Sequence, residues 1–342
     1  MSSSADQNAQ AQLLRAVQEG DCAPVRAALH SGRIGLSDLH DIRQRYHRQR
    51  QAKLPLEDLA SPTSRQWLAE LEANGIVRLP GFLGHGDLQQ LQADFQVLVQ
   101  ALNHKILRRE PVHQAYDEEE SWWPQDRAYI SNNAFKYSPR LVNCCRREEL
   151  LDLVRAYIGI TPIITRGVAM RYLPDEEKHT DMFGWHHDME DRRLKVLILL
   201  TDVGMSDQNM SYVRGSHALY HPLQMFYENT CSLEYCQQQL GEVEIIHATG
   251  QAGDVFLFDS NGAHRGNRRP HGAVRDTFFI EFTSDPSDIW GGDLPAGSCG
   301  EHPPSADDPF AKFQGAEKKW HQPIIRKTPA WVENLPDVAC WL

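Results

Sequence analysis

The sequence predicts an α+β protein with a mainly β core, an antiparallel barrel or sandwich backed by helices. Helical spacing of apolar residues dominates the first half of the chain. Beyond residue 160, short apolar runs bounded by Gly, Pro or Asp take over. No G-x-G-x-x-G follows a strand pattern and no G-x-x-x-x-G-K-[ST] occurs, so the commonest nucleotide-binding α/β folds are excluded.

Taken in order, Leu13, Leu14 and Val17, then Val25, Ala28 and Leu29, recur at helical spacing with Gly20-Asp21 between them. Residues 1–60 therefore read as an N-terminal helical extension. A single helix pair cannot bury its own apolar face, so it is expected to pack on the main domain. A polar linker over residues 49–63 leads into the principal domain, expected over 61–300. Trp67, Leu68 and Leu71 mark a short helix that Asn74-Gly75 ends. Residues 76–80 then read as a first strand. Asp87 is expected to cap a helix with Leu88, Leu91, Phe95, Leu98 and Leu102 along one stripe.

Residues 108–133 are polar and carry Asp117-Glu118-Glu119-Glu120 followed by Trp122-Trp123, so the stretch reads as either a lid or a solvated insertion. Cys144-Cys145 reads as a pair of buried thiols. Leu150, Leu151, Val154 and Tyr157 form a further helical stripe, closed by Gly159. Strands are expected over 163–172, 194–201, 211–213, 243–247, 254–258 and 274–282. Residues 301–342 are expected to form a C-terminal extension packing on the core.

Composition narrows the function classes. The chain has 342 residues, 41% hydrophobic and 24% charged, which is ordinary globular usage. Lys plus Arg number 35 against 46 Asp plus Glu, a formal charge of -11. A nucleic-acid or anionic-membrane binder needs a basic face, so neither kind of partner is expected. The seven cysteines include no C-x-x-C, which points to reduced thiols and a cytoplasmic location. The first residues show no basic start or apolar run, and the last three are not a Ser-Lys-Leu signal.

One segment carries the chemistry: Gly184-Trp185-His186-His187-Asp188. On extended backbone alternate residues share a face, so His186 and Asp188 point together while His187 points away. A histidine and a carboxylate on one face are two thirds of the 2-His-1-carboxylate set that holds non-haem Fe(II) and leaves three positions open. His85-Gly86-Asp87 repeats the spacing but sits at a helix start. Further on, Gly253-Asp254 turns into the strand Val255-Phe256-Leu257-Phe258, which leads to Asn261-Gly262-Ala263-His264-Arg265-Gly266-Asn267. Arg275 follows His264 by eleven residues and opens another strand. A planar guanidinium there suits the distal carboxylate of 2-oxoglutarate, and Thr277, on the same face, offers a further hydrogen bond. His187, His217, His247 and His271 read as structural or substrate-side. Lys195 carries no assigned role beyond pairing with an acidic neighbour.

Trp-His-x-Asp, then Gly-Asp-Val-x-x-Phe, then His-Arg-Gly-Asn with the later Arg, resembles the phytanoyl-CoA dioxygenase family over roughly residues 66–282. The resemblance implies a double-stranded β-helix (a jelly-roll, cupin-like barrel), with Fe(II), 2-oxoglutarate and O2. It assigns His186, Asp188 and His264 to the metal and Arg275 to 2-oxoglutarate. Arg214 stands in place of proline in a Pro-Gly-Ser-His-like turn, His187 stands where glutamine is frequent, and Gly266 lacks a hydroxyl that some members use on 2-oxoglutarate. These departures spare the metal site but argue against phytanoyl-CoA as substrate. The implied activity is hydroxylation of a small molecule or secondary metabolite. The alternatives are a metal-dependent barrel enzyme that does not use 2-oxoglutarate and a catalytically silent barrel acting as a binding module.

Overall fold

The structure, a computed structural model, describes residues 4–18, 23–31, 33–34, 61–107, 120–123, 128–131, 138–145, 147–158, 162–174, 182–188, 193–219, 231–267 and 271–284, with single residues 38, 42, 45, 134 and 269. The expected C-terminal extension, the Gly20-Asp21 break, the linker up to residue 60, Gly159 and Asp117-Glu118-Glu119 lie outside the described residues. Helices α1 (Ser4–Gln18) and α2 (Ala23–His30) fall where the periodicity put them, and they pack on each other.

Helix α3 (Pro62–Asn74) starts where Ser61 accepts a hydrogen bond from the Ser64 N–H, with proline at the first turn. It ends at Gly75, whose φ of 77° lies in the left-handed region. A β-carbon there would come within 2.4 Å of the Tyr212 hydroxyl, so glycine is required twice over. Strand β1 (Ile76–Leu79) follows at once. Next come α4 (His85–Leu107), β2 (Glu120–Trp123), β3 (Ala128–Ser131), α5 (Pro139–Cys145) and α6 (Glu148–Ile158).

The strands after them are β4 (Pro162–Tyr172), β5 (Met182–His186), β6 (Arg193–Leu199), β7 (Met210–Val213), β8 (Ile245–His247), β9 (Val255–Asp259), β10 (His264–Gly266) and β11 (Arg275–Ser284), with α7 (Leu233–Leu240) before β8. They form two antiparallel sheets. The large one runs β1-β9-β6-β11-β4-β3-β2 and the small one β5-β10-β7-β8.

Period-2 alternation divides the large sheet's faces. On one face Val77, Leu79, Leu194, Val196, Ile198, Val255, Leu257, Phe278, Ile280 and Phe282 pack against α3, α4, α5 and α6. On the other, Ile76, Leu197, Leu199, Phe256 and Phe258 pack against Met210, Tyr212 and Ala248 of the small sheet's side. The sheets therefore face each other across an apolar layer, with helices backing the large one. Among the described residues no helix is long and apolar enough to cross a membrane.

Within the polar segment 108–133, β2 and β3 pair antiparallel and extend the large sheet beyond β4. One local expectation changes. Asp87 is not a helix cap. Helix α4 begins earlier, with the Leu88 N–H donating to Gly84 O, and Asp87 lies in its first turn as the partner of Arg147.

The Gly253-Asp254 turn ties β1 to β9. Asp254 Oδ2 accepts from Arg78 Nη2 at 2.6 Å and from the Gln251 N–H at 2.8 Å, while Oδ1 accepts from the Gly81 N–H at 2.7 Å. Removing a buried carboxylate leaves these donors unmatched. Asp254→Ala is expected to lower unfolding stability by about 2–4 kcal/mol, read from the urea midpoint, with His186, Asp188 and His264 untouched. A variant with the parent's midpoint would show that the turn holds without the carboxylate.

Candidate metal centre

Strand β5 pairs antiparallel with β10 in a register that sets His186 directly opposite His264. Asp188 lies just past the end of β5, and its N–H donates to Ser260 O at 2.8 Å. The two imidazole rings are 4.3 Å apart centre to centre and tilted by 50°. Nε2 of His186 is 3.8 Å from Asp188 Oδ1, and Nε2 of His264 is 3.8 Å from Oδ2. One donor atom from each residue lies within 4.8 Å of the other two, and this is the cluster of that kind among the described residues.

The ring orientations have local causes. His186 Nδ1 is 3.2 Å from Gly184 O, and His264 Nδ1 is 2.8 Å from Gly262 O. A carbonyl only accepts, so each Nδ1 carries the proton and each Nε2 presents its lone pair to the cluster. His264 is further held edge-on to Phe258, with ring centres 5.3 Å apart, and nearly parallel to Tyr212 at 6.4 Å.

The loop before His264 is equally constrained. Asp259 Oδ1 accepts from the Asn261 N–H at 2.9 Å, Asp259 Oδ2 from the Tyr157 hydroxyl at 2.6 Å, and Ser216 Oγ from the Ala263 N–H at 2.8 Å. Position 262 must be glycine, because a β-carbon would lie 1.9 Å from the Tyr212 hydroxyl oxygen.

The electrostatics suit a cation. Burial alone would raise the Asp188 carboxyl, but Lys195, His264 and His186 together hold it well below the usual carboxylate range. Burial lowers His186, and burial with the neighbouring His186 pushes His264 down to about 3. At neutral pH the cluster is two neutral imidazoles and one carboxylate, the protonation states that metal binding requires.

Arg275, the first residue of β11, is 3% exposed and lies opposite Tyr172 in β4. Its guanidinium carbon sits 4.1 Å from the centre of the Tyr172 ring. Nε and Nη1 are buried and have no hydrogen-bond partner among the described residues. Desolvation lowers its pKa, opposed by Tyr172. Thr277 is fully buried on the same strand face, and its hydroxyl donates to Met170 O at a long 3.5 Å. That face continues through Phe279 to Glu281, which lies opposite Lys195 of β6, and Lys195 forms an ion pair with Asp188. The strand face bearing Arg275 is thus the one turned toward the small sheet.

The other sequence-level histidines lie elsewhere. His247 meets Ser211 Oγ at 2.9 Å, His217 Nε2 meets Glu72 O at 3.1 Å, and His271 is exposed. His187 is buried but is not part of the cluster, and His85 is exposed at the start of α4. Lys195 and Tyr172 are the two site neighbours whose roles the sequence left unassigned. A lysine at an inward position of an apolar strand was the signal for the first.

A family model described as phytanoyl-CoA dioxygenase (PhyH) matches residues 71–270. The sequence has no match among curated proteins. Among solved structures, the non-heme alpha ketoglutarate dependent epimerase SnoN from nogalamycin biosynthesis is 16% identical, with 65% of this chain and 83% of that chain covered and a TM-score of 0.52. EctD from S. alaskensis with bound Fe is 20% identical, with 64% and 76% covered and a TM-score of 0.51. A second EctD structure, with 2-oxoglutarate and 5-hydroxyectoine, is also 20% identical, with 68% and 81% covered and a TM-score of 0.51. At these identities the likeness is one of fold.

Depressed histidines have a stability consequence. Below about pH 6.5 the unfolded chain binds protons that folded His186 and His264 refuse, so stability is lost as pH falls. The metal-free protein is expected to melt at progressively lower temperature between pH 7 and pH 5. In His264→Gln, with one depressed group gone, that decline should be shallower; an equal slope would mean that other groups cause it.

Proposed function

Because this chain belongs to the phytanoyl-CoA dioxygenase family, we propose that it is an Fe(II)- and 2-oxoglutarate-dependent oxygenase that hydroxylates an unactivated C–H bond of a small molecule. The two facing sheets are then the halves of a double-stranded β-helix. The observation that carries the reading is Arg275, a fully desolvated cation with two unpartnered N–H groups on the inward face of β11. A guanidinium left with unmatched donors in a protein interior calls for an anion, and a carboxylate on its Nη1 edge would supply the missing acceptor.

His186, Asp188 and His264 are the residues that would hold the metal. Their donor set, two imidazoles and one carboxylate, is that of non-haem Fe(II) oxygenases, and it leaves three positions for other ligands. With 2-oxoglutarate and O2, bound Fe(II) supplies the oxidising power to replace hydrogen by hydroxyl on an unactivated carbon, with succinate and carbon dioxide as coproducts. Arg275 orients 2-oxoglutarate through its distal carboxylate, and Thr277 adds a polar contact beside it. The layer of Leu197, Leu199, Phe256 and Phe258 keeps water from the interior, which strengthens the Arg275 interaction. Asp188 keeps the carboxylate in the ligand set, so no position opens for a halide and hydroxylation is favoured over halogenation.

Two experiments test this. Anaerobic titration with Fe(II) is expected to give about one metal per chain, abolished by His186→Ala or Asp188→Ala and retained by His85→Ala; equal loss in the His85 variant would refute the ligand assignment. Arg275→Gln is expected to weaken apparent 2-oxoglutarate affinity by about ten- to a hundredfold, about 1.5–3 kcal/mol, with metal binding nearly unchanged. Arg275→Lys should recover part of the loss, since an ammonium keeps the charge without the fork. Succinate formation against 2-oxoglutarate concentration gives the readout. If Arg275→Gln matches the parent, another cation holds 2-oxoglutarate and the Arg275 assignment fails; if the parent itself forms no succinate, the reading yields to a metal-dependent barrel that does not use 2-oxoglutarate.

A further inference from the structure

Four charged side chains of alternating sign run in a row across the interior to the metal cluster. Arg193 Nη1 is 2.8 Å from Glu281 Oε1, Lys195 Nζ is 3.9 Å from Glu281 Oε2, and Lys195 closes on Asp188 Oδ2. The register explains the row. Lys195 lies opposite Glu281 and Arg193 opposite Thr283, so Arg193, Lys195 and Glu281 share the inward strand face. All four are largely buried, with side-chain exposures of 12% for Arg193, 9% for Glu281, 20% for Lys195 and 16% for Asp188.

The two oxygens of Asp188 are consequently not equivalent. Oδ1 faces His186, whereas Oδ2 carries the Lys195 ammonium as well as facing His264. Resting on the metal-site reading above, we propose that Lys195 is a positioning residue for Asp188: it holds Oδ2 and leaves Oδ1 as the one oxygen offered to the metal.

A carboxylate with both oxygens free can turn both toward a dication and chelate it. An ammonium ion-paired with one oxygen opposes that turn, because moving the oxygen away would separate two largely buried opposite charges. The metal's own charge repels Lys195, but Glu281, itself held by Arg193, attracts it from the other side. A dication at the cluster takes the next place in the alternating row, so its arrival keeps the order of signs. One of the three open positions is thereby protected from a second Asp188 oxygen.

The test counts the waters on the metal. Mn(II) is loaded into the full-length parent and into Lys195→Met, Lys195→Arg and Lys195→Ala, and water-proton relaxation is measured without 2-oxoglutarate. In Lys195→Met the second oxygen is expected to displace one of three inner-sphere waters, lowering that contribution to relaxivity by about a third while about one Mn(II) per chain remains bound. Lys195→Ala, which cannot overpack, should behave likewise, and Lys195→Arg should keep the parent's value because it keeps a cation beside Oδ2. Parent-like relaxivity in the Met and Ala variants overturns the inference, as does loss of Mn(II) from either variant in its folded state. A parent that takes up no Mn(II) overturns the metal-site reading and this inference with it. A parent that binds normally beside unchanged variants overturns the inference alone.

Discussion

The cross-strand pairing of His186 with His264 is the contact on which the site depends. The two histidines are distant in sequence and become neighbours only because β5 and β10 meet in one antiparallel register. Side chains alternate along a strand, so a slip of one residue would turn an imidazole out of the interior and replace it with Arg265 or Trp185. Much of the surrounding structure removes that freedom. Tyr212 pairs with β10 from the other side, its hydroxyl caps Asp259 O at 2.8 Å, and the space it fills forbids a side chain at positions 75 and 262. The helix end at Gly75 and the ligand loop at Gly262 are thus shaped around one tyrosine.

Charge inside this sandwich is handled in two opposite ways. Beside the His186–Asp188–His264 cluster a row of buried charges alternates in sign, from Arg193 through Glu281 and Lys195 to Asp188. The same is true on the helix-facing side, where Asp276 accepts from Arg171 at two positions, 2.6 and 2.7 Å. Arg275 is the exception. It is as buried as Asp276, its neighbour in sequence, yet two of its nitrogens lack acceptors among the described residues. Stacking on Tyr172 offsets part of the desolvation but gives those N–H groups nothing to donate to.

The parts of this arrangement legible in sequence were those set locally. Six of the later strands, the α3 stop at Gly75 and the apolar stripes of α4 and α6 follow from period, caps and turn residues. The clustering of His186, Asp188 and His264 was legible because spacing on extended backbone places His186 and Asp188 together, and because the His264 and Arg275 motifs resemble a known family. What failed depended on partners far away in the chain. Strands β5 and β10 are short and interrupted or ended by glycine, so nothing in their own composition marks them as paired. The hairpin of β2 and β3 is held by β4, which a reading of residues 108–133 alone does not contain. Lys195 was visible as an oddity in an apolar strand, but its partner became evident only once the sheets were brought face to face.

Strand β11 shows why such exceptions are informative. Its helix-facing residues, Asp276, Phe278, Ile280 and Phe282, obey the rule for a buried wall: the carboxylate is paired and the rest are apolar. Its inward residues run Arg275, Thr277, Phe279, Glu281, a cation, a hydroxyl, an aromatic ring and an anion, on a face of the same depth. Had packing alone shaped this face, aliphatic residues would satisfy it without any desolvated cation, because replacing buried ionic groups by apolar ones of similar volume is commonly neutral or stabilising. Local rules of folding are broken where a ligand supplies what the fold withholds. By that criterion the Glu281 end, already neutralised by Lys195 and Arg193, belongs to the protein's own framework, whereas the Arg275 end keeps unmatched donors, which is why the proposed function sets an anion there.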